Sequence, residues 1–171
     1  FKGCTNLASI NIPNLITSIK SNTFENYISL KSVLLHNNII SIGASAFKGC
    51  TSLESINLPS SINNIGDEAF KNCSSLTSVT VNREISNTTN LGENALDGCH
   101  TNLQIVVPTN RIAEYKNKEY WSSYRNKIIP SEDYREYEID CEGSLNYTLT
   151  LNSNIQTVLI YCFLLQLLYK N

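Results

Sequence analysis

The 171-residue chain has no methionine, one tryptophan and two histidines, and only 16% of it is charged. Its 13 Lys and Arg stand against 15 Asp and Glu, for a net charge of −2. With so few cations and no basic block, the electrostatic footprint of a nucleic-acid binder is excluded. A polybasic patch for an anionic membrane is excluded on the same ground. Two histidines and no Cys pair at close spacing leave no ligand set for zinc. No Gly-rich phosphate loop and no Gly-x-Ser-x-Gly elbow occur. The acids are scattered or lie in pairs such as Asp67-Glu68 and Glu132-Asp133. They are not set apart in contrasting environments, as acid–base chemistry requires. The expectation is therefore no enzyme, no cofactor and no metal. Without a Met, and opening at Phe1-Lys2-Gly3-Cys4, the chain reads as a fragment whose leader, if any, lay upstream.

What is abundant is Asn (23), Ser (20) and Ile (19). Asn and Ser suit turns and Ile suits strands, so many short strands with polar turns are expected. The order comes from a spacing of 23 residues. Phe1, Phe24, Phe47 and Phe70 follow it, as do Leu7, Leu30, Leu53 and Leu76. So do Ile10, Val33, Ile56 and Val79, then Ile12, Leu35, Leu58 and Val81, and then Ile16, Ile39, Ile62 and Ile85. An insertion around Ser86 to Asn90 shifts the fourth unit, and a one-residue slip near His100 precedes Leu103, Ile105 and Val107. Internal repeats at such a period signify stacked coils.

Within a unit, Ser55-Ile56-Asn57-Leu58 alternates apolar with polar, the mark of a half-buried strand. Pro59-Ser60-Ser61 turns the chain, Ile62 and Ile65 return it, and Asp67 to Lys71 reads as one helical turn. The residue before the Cys column is Gly3, Asn26, Gly49, Asn72 or Gly98. Only Gly and Asn appear there, which predicts a left-handed backbone closing the turn.

The pattern Ile-Gly-x-x-Ala-Phe-x-Gly/Asn-Cys-x-Ser-Leu-x-x-Ile-x-Leu-Pro, fullest in Ile42 to Pro59 and Ile65 to Val81, resembles the BspA-like leucine-rich repeat. The resemblance runs from Phe1 to about Ile129. It implies a repeat solenoid: a β-rich leucine-rich-repeat coil with a parallel sheet, short helical turns and a C-terminal helical cap. The family is found in bacterial and protist proteins, many secreted or on the cell surface, and is associated with adhesion. Tyr27 in the Cys column, Leu96 in the Phe column and the longer fourth unit depart from the pattern. The expected organisation is a solenoid of about four and a half repeats over 1–107 and a helical cap over 108–129. A linker over 130–136 follows, then a β-hairpin with an apolar tail over 137–171, the start of a second domain.

Cys4, Cys50, Cys73 and Cys99 share one column, so they point the same way into the core as a ladder of thiols. A Cys50–Cys73 disulfide is the alternative that Cα spacing alone would permit. His36 and His100 fall at turns and read as loop residues. Sequons stand at Asn72, Asn87 and Asn146. In the closing segment Thr109 or Asn110 is the expected N-cap, with Ile112, Tyr115, Trp121, Tyr124 and Ile128 at helical spacing and Pro130 as the stop. Trp121 and Tyr124 should cover the last coil. The apolar stretch Val158 to Tyr169 is shorter than a membrane span and reads as a buried element of the incomplete domain, a truncated or misread gene end, or a terminal anchor.

Two outward columns on the strands are the candidate binding residues: Ser32, Ser55, Ser78 and Gln104 in one, Leu34, Asn57, Thr80 and Val106 in the other. Ser9 and Asn11 extend them. Short uncharged hydrogen-bonding groups suit a flat polar partner, a protein or glycan on a host or neighbouring cell. An ordinary solvated sheet face is the alternative. The competing function classes are a spacer that presents an upstream binding region and an intracellular interaction scaffold. No nucleic-acid partner and no membrane contact within the repeats are expected.

Overall fold

The computed structural model describes residues 6–83 and 89–131. Expectations for Phe1, Gly3, Cys4, Ile85, Asn87, Cys141, Asn146 and Cys162, and for the hairpin and apolar tail over 137–171, lie outside the described residues.

The alternating runs form one strand per coil: β1 (Ser9–Asn11), β3 (Ser32–Leu34), β5 (Ser55–Leu58), β7 (Ser78–Val81) and β9 (Gln104–Val107). On the return path lie two-residue strands, β2 (Ser18–Ile19), β4 (Ser41–Ile42), β6 (Asn64–Ile65) and β8 (Asn90–Leu91). Pairing is parallel and in register with the repeat: Ser9 faces Ser32, Ser55 faces Ser78, and Asn57 faces Thr80. The return strands stack as β2-β4-β6-β8. The ladder breaks between β3 and β5, which belong to separate sheets, β1-β3 and β10-β9-β7-β5, and there the Glu54 amide donates to the Lys31 carbonyl at 3.3 Å.

Each coil buries the columns expected of it. Leu30, Leu53, Leu58, Ile39, Ile62 and Ile42 are fully buried, and no water reaches Phe47 or Phe70. The phenylalanines stack, with ring centroids 5.2 Å apart for Phe24 and Phe47 and 5.3 Å for Phe47 and Phe70. Tyr27 takes the Cys position of its coil, edge-on to Phe24 at 5.6 Å, and its buried hydroxyl lacks a hydrogen-bond partner. Cys50, Cys73 and Cys99 are free thiols. Each donates to the carbonyl of the Phe on the preceding coil, at 3.1, 3.1 and 3.3 Å. The ladder of thiols is what forms, and no disulfide joins these three.

The third side of the coil differs from the expected helical turn. Asp67 to Lys71 is a chain of tight turns. Alternate amides bond within the coil, as Ala46 does to Gly43 and Lys48 to Ser45. The amides between them bond to the next coil: Ser45 to Asp67, Phe47 to Ala69 and Gly49 to Lys71, at 2.8–2.9 Å. A helix would keep all these donors to itself, and sharing them between coils is what lets the coils stack on this side. Two left-handed residues per coil make the path possible. One column is the predicted one, with φ of 61° at Asn26, 72° at Gly49, 61° at Asn72 and 69° at Gly98. The other was not foreseen: Asn22, Ser45, Glu68 and Asn94, with φ of 53–59°. Glu68 has no helix dipole to serve; its carboxylate bridges Lys48 and Lys71, 2.6 Å from each. Gly66 is required by proximity, since a Cβ there would lie 2.5 Å from the Ala44 amide nitrogen.

After Val107 the chain runs through a 3-10 turn (Thr109–Arg111), α1 (Ile112–Asn117) and a kinked 3-10 stretch (Trp121–Lys127). Neither Thr109 nor Asn110 caps α1 through its side chain; Arg111 holds the cap position, and Thr109 Oγ1 donates to the Ser131 carbonyl at 3.2 Å. Nor does the helical spacing reach Ile128. Ile128–Pro130 is strand β10, parallel to β9, with Ile128 opposite Ile105. Its backbone groups satisfy the edge of β9, and Pro130, which lacks an N–H, lies in the outermost strand of this sheet among the described residues, a position that discourages further pairing. Trp121 and Tyr115 are fully buried and meet edge to face at 5.1 Å. Trp121 Nε1 donates to the Thr89 carbonyl at 2.7 Å. The Tyr124 hydroxyl accepts from the Leu96 amide and donates to Asp97 at 2.7 Å. The two rings thus seal the fourth coil, while β10 covers β9.

Candidate binding site

The strand face is built by alternation. On β5, Ile56 and Leu58 enter the core, so Ser55 and Asn57 point to solvent. The same holds for Ser32 and Leu34 on β3 and for Ser78 and Thr80 on β7. Parallel register places equivalent residues side by side, one strand spacing (~4.8 Å) apart. Ser55 abuts Ser78, and Asn57 abuts Thr80.

Six of the eight expected residues, Ser32, Leu34, Ser55, Asn57, Ser78 and Thr80, line one shallow concavity of about 290 Å³. Val33 and Ile56 also line it, a role that alternation hides because both are core residues. Gln104 and Val106 are not in that lining. They continue the two rows on β9, beside Ser78 and Thr80. Ser9 and Asn11 continue them the other way, beside Ser32 and Leu34. Leu34 stands out among polar neighbours, with 63% of its surface exposed.

No side chain lining the concavity is ionisable. Shifted groups lie elsewhere and serve the fold. Burial pushes the Cys50 thiol up to about 11 and the Cys99 thiol to about 12. The Lys48 and Lys71 ammonium groups hold Glu68 down at about 2. Both histidines bind backbone: His36 bonds the Pro13 carbonyl through Nε2 and accepts from the Asn38 amide, and His100 accepts from the Asn102 amide. Among the described residues no group of three His, Cys, Asp or Glu could hold a metal ion. Likewise among them, no helix is long and apolar enough to cross a membrane. The arrangement is equipped for hydrogen bonding over an uncharged surface.

Comparison with known proteins agrees with the repeat fold. The chain is similar to a leucine-rich repeat protein from Bacteroides ovatus, 30% identical with a TM-score of 0.59. The match covers 77% of this chain and 38% of that one, so the chain spans well under half of its solved relative. It is also similar, at 27% identity and a TM-score of 0.43, to a leucine rich cell surface protein from Faecalibacterium prausnitzii. That match covers 60% of this chain and 32% of the other. Among curated proteins no significant sequence match is found. The family model for the BspA type leucine rich repeat region matches in six copies over residues 1–127, a span that takes in the closing segment as well as the coils. The chain belongs to the BspA type leucine-rich-repeat family.

Proposed function

We propose that the chain is a non-enzymatic binding module of a secreted or cell-surface protein, and that its strand face meets a protein or glycan on a host or neighbouring cell. The observation that carries this is the concavity over β3, β5 and β7, walled by Ser32, Leu34, Ser55, Asn57, Ser78 and Thr80. Stacked repeats use the extended concave surfaces that their curvature creates to bind partners. The surface location rests on what the family resemblance implies. The test is binding of the full chain to immobilised matrix proteins and cell-surface glycans. Asn57→Glu with Thr80→Glu should weaken that binding, since two desolvated charges would face an uncharged partner. Unchanged binding moves the site off this face. Binding that requires longer forms with upstream sequence makes this stretch a spacer.

A further inference from the structure

The face does more than offer a polar surface; its groups repeat at a fixed interval. Ser9 lies beside Ser32, Ser55 beside Ser78 and then Gln104, and Asn57 beside Thr80 and then Val106. The rows therefore run across the strands, one position every ~4.8 Å. We propose that the partner of this face is a linear, uncharged polysaccharide lying across the strands. This rests on the reading of the strand face as the binding surface and names its ligand class.

Three features select that class. The first is pitch. A β-1,4-linked sugar chain advances per residue by nearly one strand spacing and turns each ring over relative to the last, so every second sugar presents the same face to every second coil. An extended peptide instead repeats its same-side groups every ~6.6 Å, twice its rise per residue, and falls out of step after one coil. The second is charge. The two rows carry no ionisable residue, and Lys31 and Glu54, which precede β3 and β5, are of opposite sign. Uronic or sulfated sugars would find no set of cations. The third is bonding capacity. Ser, Thr and Asn side chains both donate and accept, as sugar hydroxyls do, and Leu34 offers an apolar rest for the C–H face of a ring. Phe24, Tyr27, Phe47 and Phe70 are all in the core, so among the described residues the repeats hold no stacking platform on this face. Affinity must then come from many modest hydrogen bonds and grow with chain length.

The experiment is titration calorimetry of the full chain with cellohexaose, xylohexaose, mannohexaose and chitohexaose, each beside its trisaccharide. At least one hexasaccharide should bind, roughly tenfold more tightly than the trisaccharide. Raising the salt should leave its affinity unchanged, because no charge is screened. Asn57→Ala or Thr80→Ala should each weaken it about fivefold, the worth of one neutral hydrogen bond. Both positions are solvent-facing, and thermal unfolding confirms that the variants are folded. If none of the four sugars binds, the inference is overturned. Retained binding of a matrix protein to the same face would then leave the proposed function standing. Sugar binding that falls with salt, or survives both substitutions, also overturns it.

Discussion

The side-chain oxygen of Asn72 occupies the space that a Cβ on Gly98 would need, and Asn26 stands in the same relation to Gly49. The column alternates because each Asn on one coil requires a glycine on the next. Gly98 also has a φ of 69°. Gly98→Ala should therefore cost ~1 kcal/mol for the left-handed backbone and ~1–3 kcal/mol for the collision. Urea unfolding measures the total. In an Asn72→Gly background only the backbone part should remain. Equal costs in the two backgrounds would mean that the two residues do not interlock.

The cap stabilises the coils nearest to it. Trp121 is fully buried and bonded to Thr89. Trp121→Ala should cost ~3–5 kcal/mol. Because coils couple mainly to their neighbours, hydrogen exchange should quicken at Leu91 and Ile105 well before it changes at Ile56. Uniform protection in the variant would show that the segment does not act as a cap.

The thiols give a signature in alkali. Burial raises Cys50 from 9.0 to about 11. A raised pKa means that the folded state resists ionisation. The stability is whole below the ordinary thiol value and falls as pH rises from 9.0 towards about 11. With Cys4, Cys99, Cys141 and Cys162 replaced by Ser, thiol-labelling reagents should reach Cys50 and Cys73 only in unfolded chain. Rapid labelling of folded protein near neutral pH would place these sulfurs at the surface.

Acid acts through Glu68. Hydrogen bonds from Lys48, then Lys71, lower it from 4.5 to about 2. A lowered pKa contributes stability above the ordinary carboxyl value, and that contribution is lost as pH falls from 4.5 to about 2. Glu68→Gln should flatten the acid limb of the stability curve over that range, and high salt should reduce the difference between the two proteins. An identical acid limb in both would remove the bridge from the account.

The sequence revealed the strands and the core because inward residues must be apolar at every coil, and 23-residue spacing repeats that demand. Left-handed Asn26, Gly49, Asn72 and Gly98 were visible because few residue types tolerate that backbone. The second left-handed column was hidden. Ser45 and Glu68 occupy it at a cost that inter-coil hydrogen bonds and the lysine bridge offset, so residue type carries no mark. Strand β10 was hidden as well, since Ile128 also fits the helical spacing of Trp121 and Tyr124, and only the open edge of β9 decides between the two. On the candidate site, which residues face out follows from alternation. That six of the eight share one concavity depends on how the sheet curves, which no single residue encodes.

The most direct measurement of the central claim, that β3, β5 and β7 carry the binding surface, is a methyl-resolved NMR titration of the full chain with the matrix protein or glycan that it binds. Leu34 and Thr80 line the concavity, while Ile40 is 46% exposed beside β4 on the return side. The Leu34 and Thr80 methyls should shift and saturate together, with Ile40 unmoved. A shift at Ile40 with Leu34 and Thr80 unmoved would contradict the assignment of the strand face.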